Sequence, residues 1–171
     1  MDFDDNCAIE ATIVTDPMYA GFRALPICSD LDDQECMLLF SCFDLIHVAA
    51  GEILYEKNSE SDHSIRLILK GRVSVSAGST ETSRLLQQGD VFGLFSFLDE
   101  QRNHAARVKA VTDVVALAIN REYFNVIVTE EPALGRLLHH FMFRLLAPCA
   151  LKHENEYLAG PADRGQEHSD A

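Results

Sequence analysis

The sequence predicts a mainly β domain with flanking helices: an eight-stranded, jelly-roll-like β-roll, with one helix before it and helices after it. Three observations carry this. From about residue 44 to 120, apolar residues alternate or come in short runs broken by glycine, the pattern of short strands in a roll or barrel. Ahead of that span lies a stretch of helical character. Behind it the apolar period lengthens to that of a helix.

The elements follow in order. Leu31 to Phe40 reads as the entry helix, with Asp30 as N-cap and acids in the first turn, where the helix dipole favours them. Leu45 to Ala50, Gly51, then Ile53 to Tyr55 is a strand, turn, strand pattern, as is Ser64 to Lys70, Gly71, then Val73 to Ser76. Ala77 to Thr80 is a polar loop. Leu85-Leu86 and Val91-Phe92 are short apolar pieces around Gly89. Val108 to Ala110 and Val114 to Ile119 close the roll as a strand pair. Asn120 caps a helix over Arg121 to Val128, and Pro132 suits the first turn of the next. Leu134, Leu137, Leu138, Phe141, Met142, Leu145 and Leu146 then form a helical stripe, which Pro148 should break or bend. Ala8 to Val14 suits a strand or a helical turn equally.

The expected organisation is an N-terminal extension over 1–20, the domain over 21–147, and a C-terminal extension over 148–171 whose end, from Gly160, is disordered. Within the domain the roll covers about 44–120 and the last helices about 121–147. The chain of 171 residues is 47% hydrophobic, enough for one core. Its formal net charge of −13 repels nucleic acid and anionic membranes. No apolar run approaches the ~18 residues of a membrane span. The acidic start, Met1 to Asp5, lacks the form of a secretory signal, so the protein reads as cytoplasmic. The odd set Cys7, Cys28, Cys36, Cys42 and Cys149 lacks metal-ligand spacing and reads as free thiols. His139 and His140 are adjacent and diverge on a helix, while His47 and His63 stand alone. No metal site and no catalytic constellation is predicted.

The order of elements and several motifs resemble the cyclic nucleotide-binding domain family. Leu31-Asp32-Asp33-Gln34-Glu35, Gly51 to Asn58, Ile68 to Val75 and Gly89-Asp90-Val91-Phe92-Gly93 look like its entry helix, first hairpin, central hairpin and approach to the phosphate cassette. The likeness covers about residues 24 to 146. It implies a pocket built from Phe92, Gly93, Leu94, Phe95, Ser96, Phe97, Arg102, His104, Ala105 and Ala106, with cAMP or cGMP as candidate ligands and no other cofactor.

Two positions depart from the family. Leu94 stands where the family places a Glu for the ribose hydroxyl. In His104 to Ala110 a histidine stands where it places an Arg for the phosphate. Losing the charged partner costs roughly 1.5–3 kcal/mol and losing the hydroxyl's partner roughly 1–3 kcal/mol. Together that is about 10²- to 10⁴-fold in affinity. Arg102 could replace the arginine if the strand begins early, and a protonated His104 could do so below about pH 6.5. Otherwise Arg102 and Arg107 are solvated and His104 lines a vestigial cavity, or the apolar cassette takes another ligand.

The expected protein is therefore a non-enzymatic regulatory domain. Cyclic nucleotide binding is weak or absent, and the output runs through protein contacts. The alternative is a sensor of cAMP, cGMP or another small anion that moves the C-terminal helices. No helix-turn-helix fits after Pro148, so the domain must act through a partner. The stripe residues Leu134, Leu137, Leu138, Phe141, Met142 and Leu145 are candidates for packing on the roll or for a homodimer interface.

Overall fold

The computed structural model describes residues 16–77 and 83–158, with the backbone alone for 152–158. The expectations for Ala8 to Val14, for Gly78 to Thr80 and for the chain from Gly160 lie outside the described residues.

Helix α1 (Pro17–Arg23) starts on a proline and is capped by Asp16, whose carboxylate accepts from the Met18 N–H at 2.7 Å. Its Tyr19 and Phe22 are buried in the main core, so the boundary expected at residue 20 falls inside a helix of the domain. A 3-10 turn (Pro26–Cys28) leads on to α2 (Asp33–Ser41). The cap of α2 is Asp32, not Asp30. Asp32 accepts from the Glu35 N–H at 2.8 Å while Glu35 accepts from the Asp32 N–H at 3.0 Å. That reciprocal pair needs a three-residue spacing to a Glu, which Asp30 lacks. Asp30 pairs instead with Arg144 at 3.1 Å.

Eight strands follow: β1 (Asp44–Val48), β2 (Ile53–Tyr55), β3 (Ser64–Lys70), β4 (Val73–Ser76), β5 (Ser83–Leu86), β6 (Val91–Phe92), β7 (Arg107–Ala110) and β8 (Val114–Asn120). They form two antiparallel sheets, ordered β1-β8-β3-β6 and β2-β7-β4-β5. The expected β-roll is present.

The local pairing differs from the sequence expectation. Strands β1 and β2, β3 and β4, and β7 and β8 are not hairpins, because each pair is divided between the two sheets. Their turns are corners at which the chain changes sheet. Two corners pack on each other. Gly71 has φ +89°, and a Cβ there would lie 2.1 Å from the Asp113 carbonyl oxygen. The Arg72 N–H donates to Thr112 Oγ1 at 3.0 Å, and the Val111 N–H to the Arg72 carbonyl at 2.8 Å. Only a residue without Cβ fits that approach.

Strands β3 and β8 are covered on both faces. Ile68, Val114 and Ala116 point into the roll with Val73, Leu86, Phe92 and Val108. Ile65, Leu67, Leu69, Leu117 and Ile119 point outward to the helices. Near-continuous apolar runs suit such doubly covered strands.

A short helix, α3 (Leu94–Leu98), sits between β6 and β7. Helix α4 (Arg121–Glu130) is capped by Asn120, which accepts from the Tyr123 N–H at 2.7 Å, as expected. Helix α5 (Pro132–Leu158) crosses α4 closely at Gly135, where a Cβ would lie 2.8 Å from Val128 Cα. Pro148 does not end α5. Proline removes one backbone hydrogen bond, a local loss that the turns on either side outlast. The boundary expected at residue 147 therefore falls inside a helix as well.

The stripe on α5 packs on this chain's own roll. Leu138, Phe141, Met142 and Leu145 are buried, and Leu134, Leu137 and Leu146 lie half-buried against the same core. Those residues are thereby taken. Among the described residues, the exposed large apolar side chains of α5 are Phe143 (74% exposed) and Leu151 (60% exposed).

Candidate ligand-binding site

The site is built around Gly93. Its φ of +84° turns the chain from β6 into α3, and a Cβ there would lie 2.2 Å from the Ser64 carbonyl oxygen. The backbone thus passes close over the start of β3. The carbonyl end of α3 is held on two sides. His63 Nδ1 donates to the Ser96 carbonyl at 2.9 Å. Arg121, the first residue of α4, donates from Nη1 to the Phe97 carbonyl at 2.9 Å and the Leu98 carbonyl at 2.7 Å. Arg121 also pairs with Glu100 at 2.9 Å. A cation on the last carbonyls of a helix suits its dipole. It also ties the cassette directly to the C-terminal helices.

Behind α3 lies a cavity of about 340 Å³ walled by the cassette, the loop before β7 and the inner face of the second sheet. Of the predicted residues, Phe92, Gly93, Leu94, Phe95, Ser96, His104, Ala105 and Ala106 line it. Leu94 and Phe95 stand in its wall without filling it, and Phe95 remains 47% exposed. Phe97 does not line it. It turns to the helical side and meets Phe124 edge-on, with ring centroids 5.6 Å apart, because two residues along a helix of 3.6 residues per turn place it on the side away from Phe95. Arg102 does not line it either. Its side chain is 54% exposed and lies 3.6 Å from Asp99. The loop between α3 and β7 keeps it in water. Arg107 likewise faces outward, 3.4 Å from Glu56.

His104 is 5% exposed, and its ring stacks on Tyr55 with centroids 3.6 Å apart and planes within 7°. Its backbone is fixed too: its N–H donates to the Ser59 carbonyl at 3.1 Å and its own carbonyl accepts from the Asn58 N–H at 2.8 Å. Burial holds its pKa below the ordinary histidine value. Arg66 and His63 push in the same direction, against the pull of Asp62. Arg66 is engaged with Asp62 by an ion pair and lies over the Tyr55 ring. His104 is therefore a neutral aromatic wall, and neither expected substitute for the missing arginine is in place.

Sequence reasoning missed Tyr55, Val75, Arg84, Leu86, Val91, Val108 and Cys149 in the lining, with Ala77 at its edge. A signal existed for three of them. In the β4–β5 register Val75 faces Arg84 and Val73 faces Leu86, and alternation puts one face of that ribbon inside. Cys149 was lost when the helix was ended at Pro148.

Other constellations do not form. Among the described residues no group of three or more His, Cys, Asp or Glu side chains converges on a point. Cys28, Cys36 and Cys42 are free and buried, and burial pushes the Cys28 thiol up to about 12 and the Cys42 thiol up to about 11. Cys7 lies outside the described residues. No described helix is long and apolar enough to cross a membrane.

A β-roll in two four-stranded sheets, with a short helix entered through a left-handed glycine and helices after the last strand, defines a class of ligand-binding regulatory domain. Residues 45–131 match the family model of the cyclic nucleotide-binding domain, and the chain belongs to that family. Among solved structures it is similar to a cyclic nucleotide-binding domain from Methylobacillus flagellatus KT, with 15% identity, 89% of this chain and 85% of that one covered, and a TM-score of 0.67. It is also similar to the Thermus thermophilus catabolite activator protein, with 25% identity, 78% of this chain and 62% of that one covered, and a TM-score of 0.62. Human cGMP-dependent protein kinase 2 is 22% identical over 136 residues, which are 76% of this chain and 18% of the kinase. The chain thus spans a minor part of that relative.

Proposed function

We propose that this chain is a non-enzymatic regulatory domain whose pocket has kept its shape and lost its affinity for cyclic nucleotides. The observation that supports this best is the pair of side chains at positions 94 and 104 in the cavity wall. The cavity is open, yet Leu94 offers no acceptor to a ribose hydroxyl, and His104 is buried, neutral and stacked on Tyr55. A cyclic phosphate seated on the cassette backbone would find no charged side chain at position 104. The pocket is then a receptor for a different small molecule.

The output is a protein contact made at the helices, with a second copy of this chain as one candidate. Phe143 lines a groove of about 220 Å³ with Leu98, Phe97, Phe124 and Met142, between α3, α4 and α5. Leu98 and Phe143 are exposed there. An apolar patch of this kind beside the cassette suits a partner that reads the position of α3.

Calorimetry with cAMP and cGMP tests the first half, with no saturable heat expected at micromolar ligand. Micromolar binding of either nucleotide that Ala106→Phe abolishes would overturn it. Sedimentation tests the second half. Self-association of the wild type that Phe143→Glu removes supports the homodimer, whereas a monomer at every concentration assigns the contact to a different protein. A second reading, a true cyclic nucleotide sensor, has the left-handed Gly93 and the Arg121 tether in its favour, and the same titration decides it.

A further inference from the structure

The cavity wall is rich in aromatic rings, and a buried polar side chain stands in it without a hydrogen-bond partner. Tyr55, Phe92, Phe95 and His104 bring four rings to the lining. Tyr55 is stacked on His104 and tilted against Phe92, with ring centroids 6.3 Å apart. The stacked pair also borders a second hollow of about 410 Å³, lined by Ser59, Asp62 and Arg66. There Asp62 and Arg66 are engaged with each other. His104 is 5% exposed, yet among the described residues nothing donates to or accepts from its ring nitrogens. The other polar groups of the cavity wall are taken. Ser96 Oγ donates to the Gly93 carbonyl at 3.2 Å, and Arg84 already has its partner within the protein.

We propose that the cavity binds an uncharged, flat aromatic molecule carrying one hydroxyl, of the phenol or naphthol class, with its ring against Phe92, Leu94 and Val108 and its hydroxyl on the His104 ring. This rests on the reading of the pocket as a receptor for something other than a cyclic nucleotide. The cavity of about 340 Å³ sits at the lower end of small-molecule pockets, which are typically about 300–1,000 Å³.

The chemistry separates this ligand from its competitors. Aromatic rings gain from offset-stacked and edge contacts beyond the area they bury, which favours a flat ring over an aliphatic chain. A charged ligand would bring its charge to a wall where Arg84 is taken and His104 is neutral, and an unpaired buried charge is costly. A plain hydrocarbon suits the rings but shuts His104 away from water with no partner, and an unsatisfied buried polar group weakens binding. A hydroxyl removes that loss. Neutral imidazole has one donor and one acceptor nitrogen, and a hydroxyl can serve either. Cys149 of α5 also borders the cavity, so occupancy bears on helix position wherever the two states differ in that contact.

Equilibrium dialysis of the full chain against 2-naphthol, naphthalene and 2-naphthoate, with calorimetry for cAMP, tests this, using His104→Phe and Ala106→Phe of confirmed melting temperature. 2-Naphthol is expected to bind about twofold to tenfold more tightly than naphthalene, the range of one net hydrogen bond, and more tightly than 2-naphthoate. His104→Phe keeps a ring beside Tyr55 and should reverse the first order, because the hydroxyl is then buried without a partner. Ala106→Phe should abolish binding of all three. Naphthalene binding as tightly as 2-naphthol in the wild type overturns the hydroxyl assignment. An unchanged order in His104→Phe overturns its placement on His104, and binding retained in Ala106→Phe overturns the site. Tighter binding of 2-naphthoate overturns the uncharged class. Should a variant fail to fold, the order of the three probes on the wild type still decides. No binding of any of the three overturns the inference, and with cAMP also silent the loss of nucleotide affinity stands. If cAMP binds at micromolar concentration, the receptor reading falls as well.

Discussion

The two halves of the pocket are held by different means. The cassette half is backbone: Gly93 in the left-handed region, α3, and carbonyls tied by His63 and Arg121. The facing half is side chains, His104 on Tyr55 and Arg84, joined by the Leu94 side chain from the first turn of α3. The backbone half is required by the fold. A Cβ at Gly93 collides with the Ser64 carbonyl whether or not any ligand is present, so the glycine by itself carries no information about the ligand. Side chains facing a cavity are under no such constraint, and specificity resides in them. A family framework can therefore persist intact around a changed recognition surface.

The largest expected effect comes from restoring the polar half on the intact backbone half. Leu94→Glu with His104→Arg should raise cAMP affinity about 10²- to 10⁴-fold, the value of one charged pair and one buried hydroxyl partner. Calorimetry reads this directly. Equal affinities for the double variant and the wild type would mean that the cassette backbone has changed too.

Gly93→Ala tests the backbone half. Left-handed strain and the clash with Ser64 should cost roughly 3 kcal/mol or more in urea unfolding, with no ligand added. A loss below about 1 kcal/mol would mean that the glycine is retained for binding and not for folding.

A smaller effect is expected at the link between the cassette and the helices. Arg121→Gln removes the cation from the Phe97 and Leu98 carbonyls and from Glu100. We expect a loss of about 1–2 kcal/mol and faster amide exchange confined to α3 and the first turn of α4. Unchanged exchange in α3 would show that Arg121 is no tether.

The smallest is the pH response of the wall. The pKa of His104 is lower folded than unfolded, so between the two values the unfolded chain binds the extra proton. Its contribution is fully present above about pH 6.5 and is lost as pH falls through the folded value. His104→Gln should melt less steeply with acidification than the wild type over pH 7 to 5. Parallel curves would contradict the burial of a neutral ring there.

Elements whose signals are local were legible in the sequence: the Asn120 cap, the Pro132 start, the eight strands and the cassette itself. Eight of the sixteen residues that line the cavity were legible for the same reason, because they are contiguous around Gly93 and His104. The misses depend on distant contacts. Asp32 won the α2 cap over Asp30 through its reciprocal bond with Glu35, and Asp30 was claimed by Arg144 more than a hundred positions away. Each apparent hairpin became a corner, because a strand–glycine–strand pattern is the same whether the chain folds back or changes sheet.

The sequence alone determined the class of fold and the loss of the two family side chains at Leu94 and His104, since strand period, turn glycines and residue identity are properties of neighbours along the chain. Only the tertiary structure decided that the cavity stays open, that Phe97 and Arg102 face away from it, that His104 is buried against Tyr55, and that Arg84 and Cys149 complete the wall. Those are matters of which face of one element meets which face of another, and burial, charge state and cavity volume exist only once the two sheets and α5 have closed around them.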